Sequence, residues 1–557
     1  MYIPKSLKML GFLGLAATVT ISGACSGGTQ TPSTTPFDPG APLVQFAISH
    51  FAGSGNCALC HSNLKDASGT DVSMSTQWAS TMMANAAKDP YFMAETASLV
   101  NDLPSLDATI ESTCAVCHMP MASTQANADG TTSSMLNNGF TNTSNPLNKA
   151  AMDGNSCSLC HQISSTNLGQ SSSYTGGYKI DTSSKAPDRI IYGPFSDLLQ
   201  SPMRTIIGFT PTQGEQIASS ALCATCHTVY TPVVTTQGTV SGNFPEQVTY
   251  LEWQHSVFGS NPAAQLACQS CHMPAASGSV AISNNPTTLT PRSPLLQHDF
   301  VGGNSFILNL MANNVSNLGI TASSAAMQAT AQITSNQLSS RTSQISVVNS
   351  DITNGKLNVT LSVTDLTGHK FPTAFPSRRA WIEFTVTDST GKVVFQSGKP
   401  NADGSISGNV ADENSKSFEP NYDVITNSDQ VEIYEAIMHD SSENVTYNLL
   451  NAAGYLKDNR LLPSGFDKAT AAGDTAVIGG ASADANFVGG SDHVTYQVSV
   501  GGKGPYTVTA RLLYQSVAFQ FSKNFQGASP FISSFMSEFK SADKTPTQVA
   551  SVSKTLG

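Results

Sequence analysis

The chain has 557 residues, 39% of them hydrophobic and 12% charged, which is enough for two or more domains, each with its own core. Lys and Arg total 27 against 38 Asp and Glu, and this net charge of −11 without a basic stripe argues against nucleic acid as a partner. After the N-terminus no run of about 18 or more apolar residues occurs, which excludes a polytopic membrane protein.

Residues 1–25 have the pattern of an export signal. Two lysines precede an apolar stretch over 9–21, and small residues follow up to Cys25. Lipidation of Cys25 is expected, although Ser22 stands where lipoprotein signals usually have leucine, so an ordinary signal peptide is the alternative. Residues 26–44, rich in Gly, Ser, Thr and Pro, predict a flexible tether. We therefore expect an exported protein at the outer membrane, at the cell surface or outside the cell, which touches a membrane only through its lipid anchor.

Ten of the eleven cysteines fall into five copies of the string Cys-x-x-Cys-His. With Cys and His each near 2% of residues, chance would supply this string on the order of 0.01 times in such a chain, and the string is typical of c-type haem attachment. Two thiols one helical turn apart bond the vinyl groups of one haem, and the adjoining imidazole becomes an axial ligand of its iron. The copies, called motifs 1 to 5, are Cys57, Cys60 and His61; Cys114, Cys117 and His118; Cys157, Cys160 and His161; Cys223, Cys226 and His227; and Cys268, Cys271 and His272.

Zinc binding and disulfides are the alternative uses of paired cysteines in an exported chain. Zinc would require the pairs to combine into four-ligand sets, and it leaves unexplained why histidine follows every second cysteine. We therefore predict five covalently attached c-type haems. Successive motifs begin only roughly fifty residues apart, which is too little protein to separate the haems, so residues 45–310 should form a cytochrome domain of short helices and loops around a haem core.

Each iron has a second axial position to fill. His50 lies just before motif 1, His255 lies between motifs 4 and 5, and His298 follows motif 5, so all three are predicted distal ligands. The stretch 77–97 is predicted to be helical, and Met83 within it offers a thioether to a further iron. Packing of this methionine in the core is the alternative.

Past residue 310 the sequence pattern changes. Residues 311–342 predict a helical linker, and residues 343–520 predict an antiparallel β-sandwich, followed by a C-terminal tail over 521–557. The alternating segments predict strands at 356–363, 380–386, 392–396, 494–500 and 506–513, the last two joined as a hairpin. The fold class is therefore α+β and multidomain.

A rigid loop over 367–373 interrupts the strand pattern and carries His369. A stiff loop suits an iron ligand held across the domain interface, and Arg378 and Arg379 just beyond it are candidates to pair with haem propionates. The alternative is a surface histidine in a turn beside solvated arginines. His439 and His493 are expected to be surface histidines.

The motifs and four further segments resemble exported multihaem c-type cytochromes of metal-respiring and related bacteria. The haem region is similar to the tetrahaem cytochrome that accepts electrons from hydroxylamine oxidoreductase. This resemblance, which covers most of residues 45–520, implies alternating parallel and T-shaped haem pairs with mostly bis-histidine ligation, and it makes His50, His255, His298 and His369 candidate distal ligands. The four segments are 78–90, 297–304, 368–373 and 455–463.

The expected function is that of an electron carrier rather than an enzyme, passing electrons along closely packed haems in respiratory or extracellular electron transfer. Its partners would be redox proteins or an extracellular electron acceptor. One alternative is an oxidoreductase of small nitrogen or sulfur compounds, which needs one iron with an open distal face. A further alternative is a subunit of a polymeric filament, in which copies of this chain assemble.

Overall fold

The computed structural model describes residues 40–557 except 236–237, 472 and 502–503. The predicted export signal, the lipid anchor at Cys25 and the tether up to residue 39 lie outside the described residues. The helices are α1 (Ser54–Ala58), α2 (Met74–Ala79), α3 (Pro90–Asp102), α4 (Asp107–His118), α5 (Pro120–Ala128), α6 (Asn148–Met152), α7 (Cys157–Cys160), α8 (Ser201–Ile206), α9 (Ser220–His227), α10 (Thr249–His255), α11 (Val257–Ser260), α12 (Cys268–His272), α13 (Ser305–Ala312), α14 (Ser324–Arg341), α15 (Val410–Glu413) and α16 (Pro530–Ser541). The strands are β1 (Arg189–Gly193), β2 (Phe209–Gln213), β3 (Thr228–Val234), β4 (Val240–Val248), β5 (Ser343–Thr353), β6 (Lys356–Asp365), β7 (Arg379–Thr387), β8 (Val393–Ser397), β9 (Val424–Ile425), β10 (Ile433–Tyr434), β11 (Ala436–His439), β12 (Gly454–Asp458), β13 (Ser491–Ser499), β14 (Tyr506–Gln515) and β15 (Thr547–Leu556). Helices and sheets together make the fold class α+β.

Motifs 2 to 5 lie on short helices of the N-terminal half, whereas motif 1 begins at the end of α1 and continues into a turn. Helices α4, α9 and α12 each end on the motif histidine, and α7 ends one residue before it. One helical turn brings the two motif cysteines to the same face, because residues three apart are neighbours on a helix surface. Helices this short are only marginally stable in isolation, so their stability in the protein depends on the groups that pack against them.

The predicted continuous helix over 77–97 is wrong. The chain instead forms α2, which ends at Ala79, and α3, which begins at Pro90. The Asp89 side chain caps α3 by accepting hydrogen bonds from the backbone N–H groups of Tyr91 and Phe92. A proline fits the first turn of a helix but not its interior, so Pro90 together with Asp89 starts a new helix.

Two sheets build the C-terminal half. One has the strand order β5-β6-β13-β9, and the other has the order β10-β7-β14-β15 with β8 added beside β7. Strands of both sheets contribute to a common apolar core, in which Phe384 of β7 stacks on Tyr496 of β13 with ring centroids 3.8 Å apart. The alternating segments of the sequence lie within β6, β7, β8, β13 and β14.

The predicted hairpin between β13 and β14 is wrong. Strand β13 pairs with β6 and β9, whereas β14 pairs with β7 and β15, so the two strands belong to opposite sheets. Alternation of apolar residues shows which face of a strand is buried, but not which strand lies beside it. The connection after β13 therefore crosses from one sheet to the other.

The segment 521–557, expected to be a tail, contains α16 and β15. Strand β15 pairs with β14 along almost its whole length, and α16 packs against α3 of the motif half. Phe535 of α16 is fully buried, with its ring centroid 5.4 Å from those of Tyr91 and Phe525. The end of the chain thus joins both halves of the molecule.

Replacing Phe535 by alanine should destabilise the protein by about 3–5 kcal/mol, because it empties a close-packed aromatic site. The measurement is chemical denaturation followed by far-ultraviolet circular dichroism. The adjacent variant Met536→Ala, at a side chain 38% exposed, is the control and should change stability by no more than about 0.5 kcal/mol. Equal effects of the two substitutions would contradict the packing of α16 described here.

Candidate functional site

All five motifs open into one interior cavity. Its wall includes every motif histidine and every motif cysteine except Cys60. The volume, about 1080 Å³, exceeds the roughly 300–1,000 Å³ typical of pockets for one small ligand. Because residues of all five motifs line its wall, the cavity suits several groups held side by side.

Backbone carbonyl groups orient the motif histidines. His61 Nδ1 lies 2.6 Å from the carbonyl oxygen of Ile282, and His161 Nδ1 lies 2.6 Å from the carbonyl oxygen of Tyr192. His118 makes the same type of bond to Ala86 at 3.1 Å. A ring that donates from Nδ1 keeps the lone pair on Nε2, which is the usual arrangement of a histidine that ligates a metal.

Two further histidines lie opposite motif histidines. The ring centroids of His161 and His298 are 6.4 Å apart with planes at 19°, and those of His272 and His369 are 6.3 Å apart with planes at 16°. Metal–nitrogen bonds of about 2 Å on both sides of one iron, and about 1.1 Å from each nitrogen to its ring centre, separate two axial imidazoles by roughly 6.2 Å. The spacing of both pairs therefore fits one iron between the two rings.

The orientation of these two distal rings supports the same arrangement. Nδ1 of His298 bonds to the carbonyl of Leu296 at 3.2 Å, and Nδ1 of His369 bonds to that of Lys370 at 2.9 Å. Burial lowers the pKa of His298 to about 3 and that of His369 to about 4. Both imidazoles are therefore neutral at physiological pH, as metal ligation requires.

The structure does not bring His50 or His255 to the cavity wall. Tyr250 and Trp253 of α10 line the cavity, whereas His255 is two residues further on and packs against Phe466 with ring centroids 5.4 Å apart. Two residues correspond to about 200° around a helix, so His255 faces the other way. His50 is buried outside the cavity wall, and its Nδ1 has no hydrogen-bond partner.

Met83 lines the cavity next to motif 3. Its carbonyl oxygen accepts a hydrogen bond of 3.0 Å from the backbone N–H of Asn155, two residues before Cys157. It lies in the irregular connection between α2 and α3 rather than on a helix. Ligation of an iron by Met83 stays a prediction.

The two arginines after the His369 loop separate. Arg378 lines the cavity and donates a 2.9 Å hydrogen bond to the carbonyl of Thr373. Arg379 begins β7 and forms a buried ion pair with Asp412 at 2.8 Å, away from the cavity wall. Of the two arginines, only Arg378 therefore lies on the cavity wall.

Thiols of different motifs are in contact. The neighbouring pairs are Cys57 with Cys157, Cys117 with Cys226, and Cys223 with Cys268. In each pair the neighbouring thiol raises the pKa of the first thiol and lowers that of the second. Burial, with a contribution from Cys226, raises the pKa of Cys160 to about 12, so motif 3 also lies near motif 4. In space the motifs follow the order 1, 3, 4 and 5, with motif 2 beside motif 4.

Besides the capping residue Asp89, two carboxyl groups that sequence reasoning missed line the cavity, those of half-buried Glu95 and buried Glu246. Burial, reinforced by repulsion from Glu246, raises the pKa of Glu95 to about 8. Burial raises the pKa of Glu246 to about 7. The sequence did offer one sign of Glu95. It is the single charged residue of the run 90–101, in a chain with few charged residues.

Stability of the protein should decrease as the pH rises from about 4.5 to about 8, because over this range Glu95 ionises in the unfolded chain but stays protonated in the folded one. The folded-state pKa of Glu95 lies above its ordinary value of 4.5, so its stabilising neutral form is complete below that value and is lost as the pH passes through about 8. Glu95→Gln should flatten the decrease in melting temperature over this range. Exposed Glu443→Gln is the control, and a decrease as steep in Glu95→Gln as in Glu443→Gln would contradict the assignment.

None of the helices in the described part of the chain is both long and apolar enough to cross a membrane. The same residues contain no group of three or more His, Cys, Asp or Glu side chains placed to hold a bare metal ion.

No family model and no curated protein matches this chain. Among solved structures, the chain is similar to the crystal structure of a penta-heme cytochrome c552 from Thermochromatium tepidum. The two share 15% sequence identity with a TM-score of 0.47, over 90% of this chain and 98% of that chain.

Proposed function

We propose that this protein is a multihaem c-type cytochrome that binds five haems and carries electrons. The observation that carries the proposal is the cavity in which all five motif histidines meet, with His298 opposite His161 and His369 opposite His272 at the separation of two ligands of one iron. At both pairs the ring spacing, the ring orientation and the neutral distal imidazole each fit two ligands of one iron.

The chain itself would hold and surround the cofactors. The motif thiols attach them, carbonyl groups such as that of Tyr192 orient the ligating rings, and the apolar wall keeps water out. Bound haem supplies the ability to take up and release single electrons. Contacts between thiols of different motifs support a continuous arrangement of redox groups rather than five isolated ones.

We further propose that the protein acts outside the cytoplasm, in respiratory or extracellular electron transfer. The export pattern of residues 1–25 supports this location. Redox proteins or an extracellular acceptor are the proposed partners, and lipidation at Cys25 is the proposed membrane contact. Electron microscopy of the purified protein tests whether copies of the chain assemble into a homopolymer.

Reversible redox chemistry tests the carrier proposal. The protein is purified with its haems, reduced with dithionite and reoxidised while its visible spectrum is recorded. We expect sharp cytochrome c absorption bands in the reduced state and complete, repeatable recovery of the oxidised spectrum. A sample whose spectrum does not respond to reductant would contradict the proposal.

A second candidate is an oxidoreductase of small nitrogen or sulfur compounds. The observation in its favour is that His61, His118 and His227 line the cavity without an opposing histidine, although all eleven histidines lie among the described residues. An iron without a sixth protein ligand can bind an external molecule. A high-spin ferric signal that changes on addition of nitrite or sulfite, with turnover, would favour this function over that of a carrier.

A further inference from the structure

Four ionisable side chains form a closed, buried cluster behind the His369 loop. Lys370 Nζ donates to Asp458 Oδ2 at 2.6 Å, Arg460 donates to both oxygens of Asp458 at 2.8 Å, and Arg460 Nη1 lies 2.8 Å from Glu252 Oε1. The exposed fractions are 0% for Lys370 and Glu252, 2% for Asp458 and 7% for Arg460. The two positive and two negative charges balance.

Stability alone is a weak explanation for this cluster. Burying ion pairs carries a large desolvation cost, and apolar residues of similar volume often serve as well or better. An ion cluster does fix the relative positions of its side chains, because each of its hydrogen bonds has a preferred length and direction. Such a cluster therefore fixes the positions of the segments that it joins.

Its contacts converge on the segment around His369. The carboxylate of Glu252 accepts hydrogen bonds from the backbone N–H of Lys370 at 3.2 Å and from the Thr373 hydroxyl at 2.5 Å. Lys370 follows His369 directly, and its carbonyl orients the His369 ring through Nδ1. Phe371 is paired through two backbone hydrogen bonds with Leu461, the residue after Arg460.

Glu252 belongs to α10, between motifs 4 and 5, whereas the other three charges belong to the half that contains the two sheets. The cluster is therefore a bridge between the part of the chain that carries His272 and the part that carries His369. Neither hydrogen bond to the Glu252 carboxylate survives if the loop moves away from α10.

We infer that Glu252, through Lys370, Asp458 and Arg460, is a positioning residue that holds the His369 imidazole opposite His272 and keeps the iron of motif 5 six-coordinate. The inference rests on the proposed function, because it concerns the ligation of a haem attached at motif 5. It concerns this chain's own residues and predicts a spectroscopic signature that a general loss of stability does not produce.

The test is electron paramagnetic resonance of the oxidised protein with its full haem complement. Glu252→Gln keeps the shape of the side chain but removes its charge and one acceptor oxygen. We expect it to retain five haems while one haem equivalent changes from low-spin to high-spin. Added imidazole should restore the low-spin signal, because it can take the position that His369 leaves.

Asp412→Asn is the matched control. It breaks the ion pair of Arg379 and Asp412, whose side chains are each 3% exposed, in the same half of the molecule but away from the cavity wall. Its spectrum should equal that of the unsubstituted protein. A high-spin change in this variant as large as in Glu252→Gln would overturn the inference, because any buried pair would then have the same effect.

His369→Ala separates the inference from the proposed function. If His369→Ala produces a high-spin haem and Glu252→Gln does not, the positioning role is overturned and the ligand assignment stands. If His369→Ala changes nothing, the proposed pairing with His272 fails as well. Should Glu252→Gln accumulate poorly, Thr373→Val removes only one bond to the same carboxylate, and a partial high-spin signal would support the inference while an unchanged spectrum would overturn it.

Discussion

Replacing His298 by alanine is expected to convert one haem, that of motif 3, from low-spin to high-spin iron. The rings of His161 and His298 are 6.4 Å apart and nearly parallel, so removal of one leaves the iron between them with a single axial imidazole. Alanine has no atom that can ligate an iron. Electron paramagnetic resonance of the oxidised protein measures the change as one haem equivalent.

The control for this experiment is His439→Ala. His439 is the same residue type, is half-buried, and lies in β11 outside the cavity wall. It should leave both the haem content and the low-spin signals as they are. A low-spin spectrum of His298→Ala identical to that of His439→Ala would contradict the pairing of His161 with His298.

The double substitution Cys157→Ala with Cys160→Ala is expected to have the larger structural effect. Without thiols motif 3 cannot hold its haem, so the protein should carry four haems instead of five. Motif 3 lies between motif 1, through the contact of Cys57 with Cys157, and motif 4, so its loss opens a void inside the cavity. Since truncation of one large side chain already costs about 2–5 kcal/mol, a missing cofactor should lower the melting temperature severely.

Leu59→Ala is the control for the motif substitution. Leu59 lies between the cysteines of motif 1 but is 54% exposed, and it does not line the cavity. It should retain five haems and an unchanged melting temperature. Retention of five haems by the double cysteine variant would show that the motif does not attach a cofactor.

Local sequence patterns predicted the parts of the fold that depend on local physics. The alternating residues of β6 and β13 reflect burial of one face of each strand, which a local sequence pattern records. The pairing of β13 and the inclusion of β15 in a sheet depend on contacts between distant segments, and no local pattern records them. The break between α2 and α3 was recoverable from Asp89 and Pro90, whose capping preference outweighs the helical periodicity around them.

The residues of the candidate site also fall into those that local sequence identifies and those that depend on contacts between distant segments. The motif residues are contiguous in sequence, and attachment chemistry alone identifies them. Distal histidines are not contiguous with the irons they would ligate, so proximity along the chain led equally to His298, which faces His161, and to His255, which turns away from the cavity. The sequence also did not show that Arg379 points away from the cavity, because its side chain pairs with Asp412, which is distant along the chain.

The proposed electron carrier requires five haems bound covalently to one chain. Intact mass spectrometry of the purified protein, combined with pyridine haemochrome quantification, measures this number. We predict the mass of the mature polypeptide plus five haems and a haemochrome value of five per chain. A mass equal to that of the bare polypeptide, with a colourless sample, would contradict it.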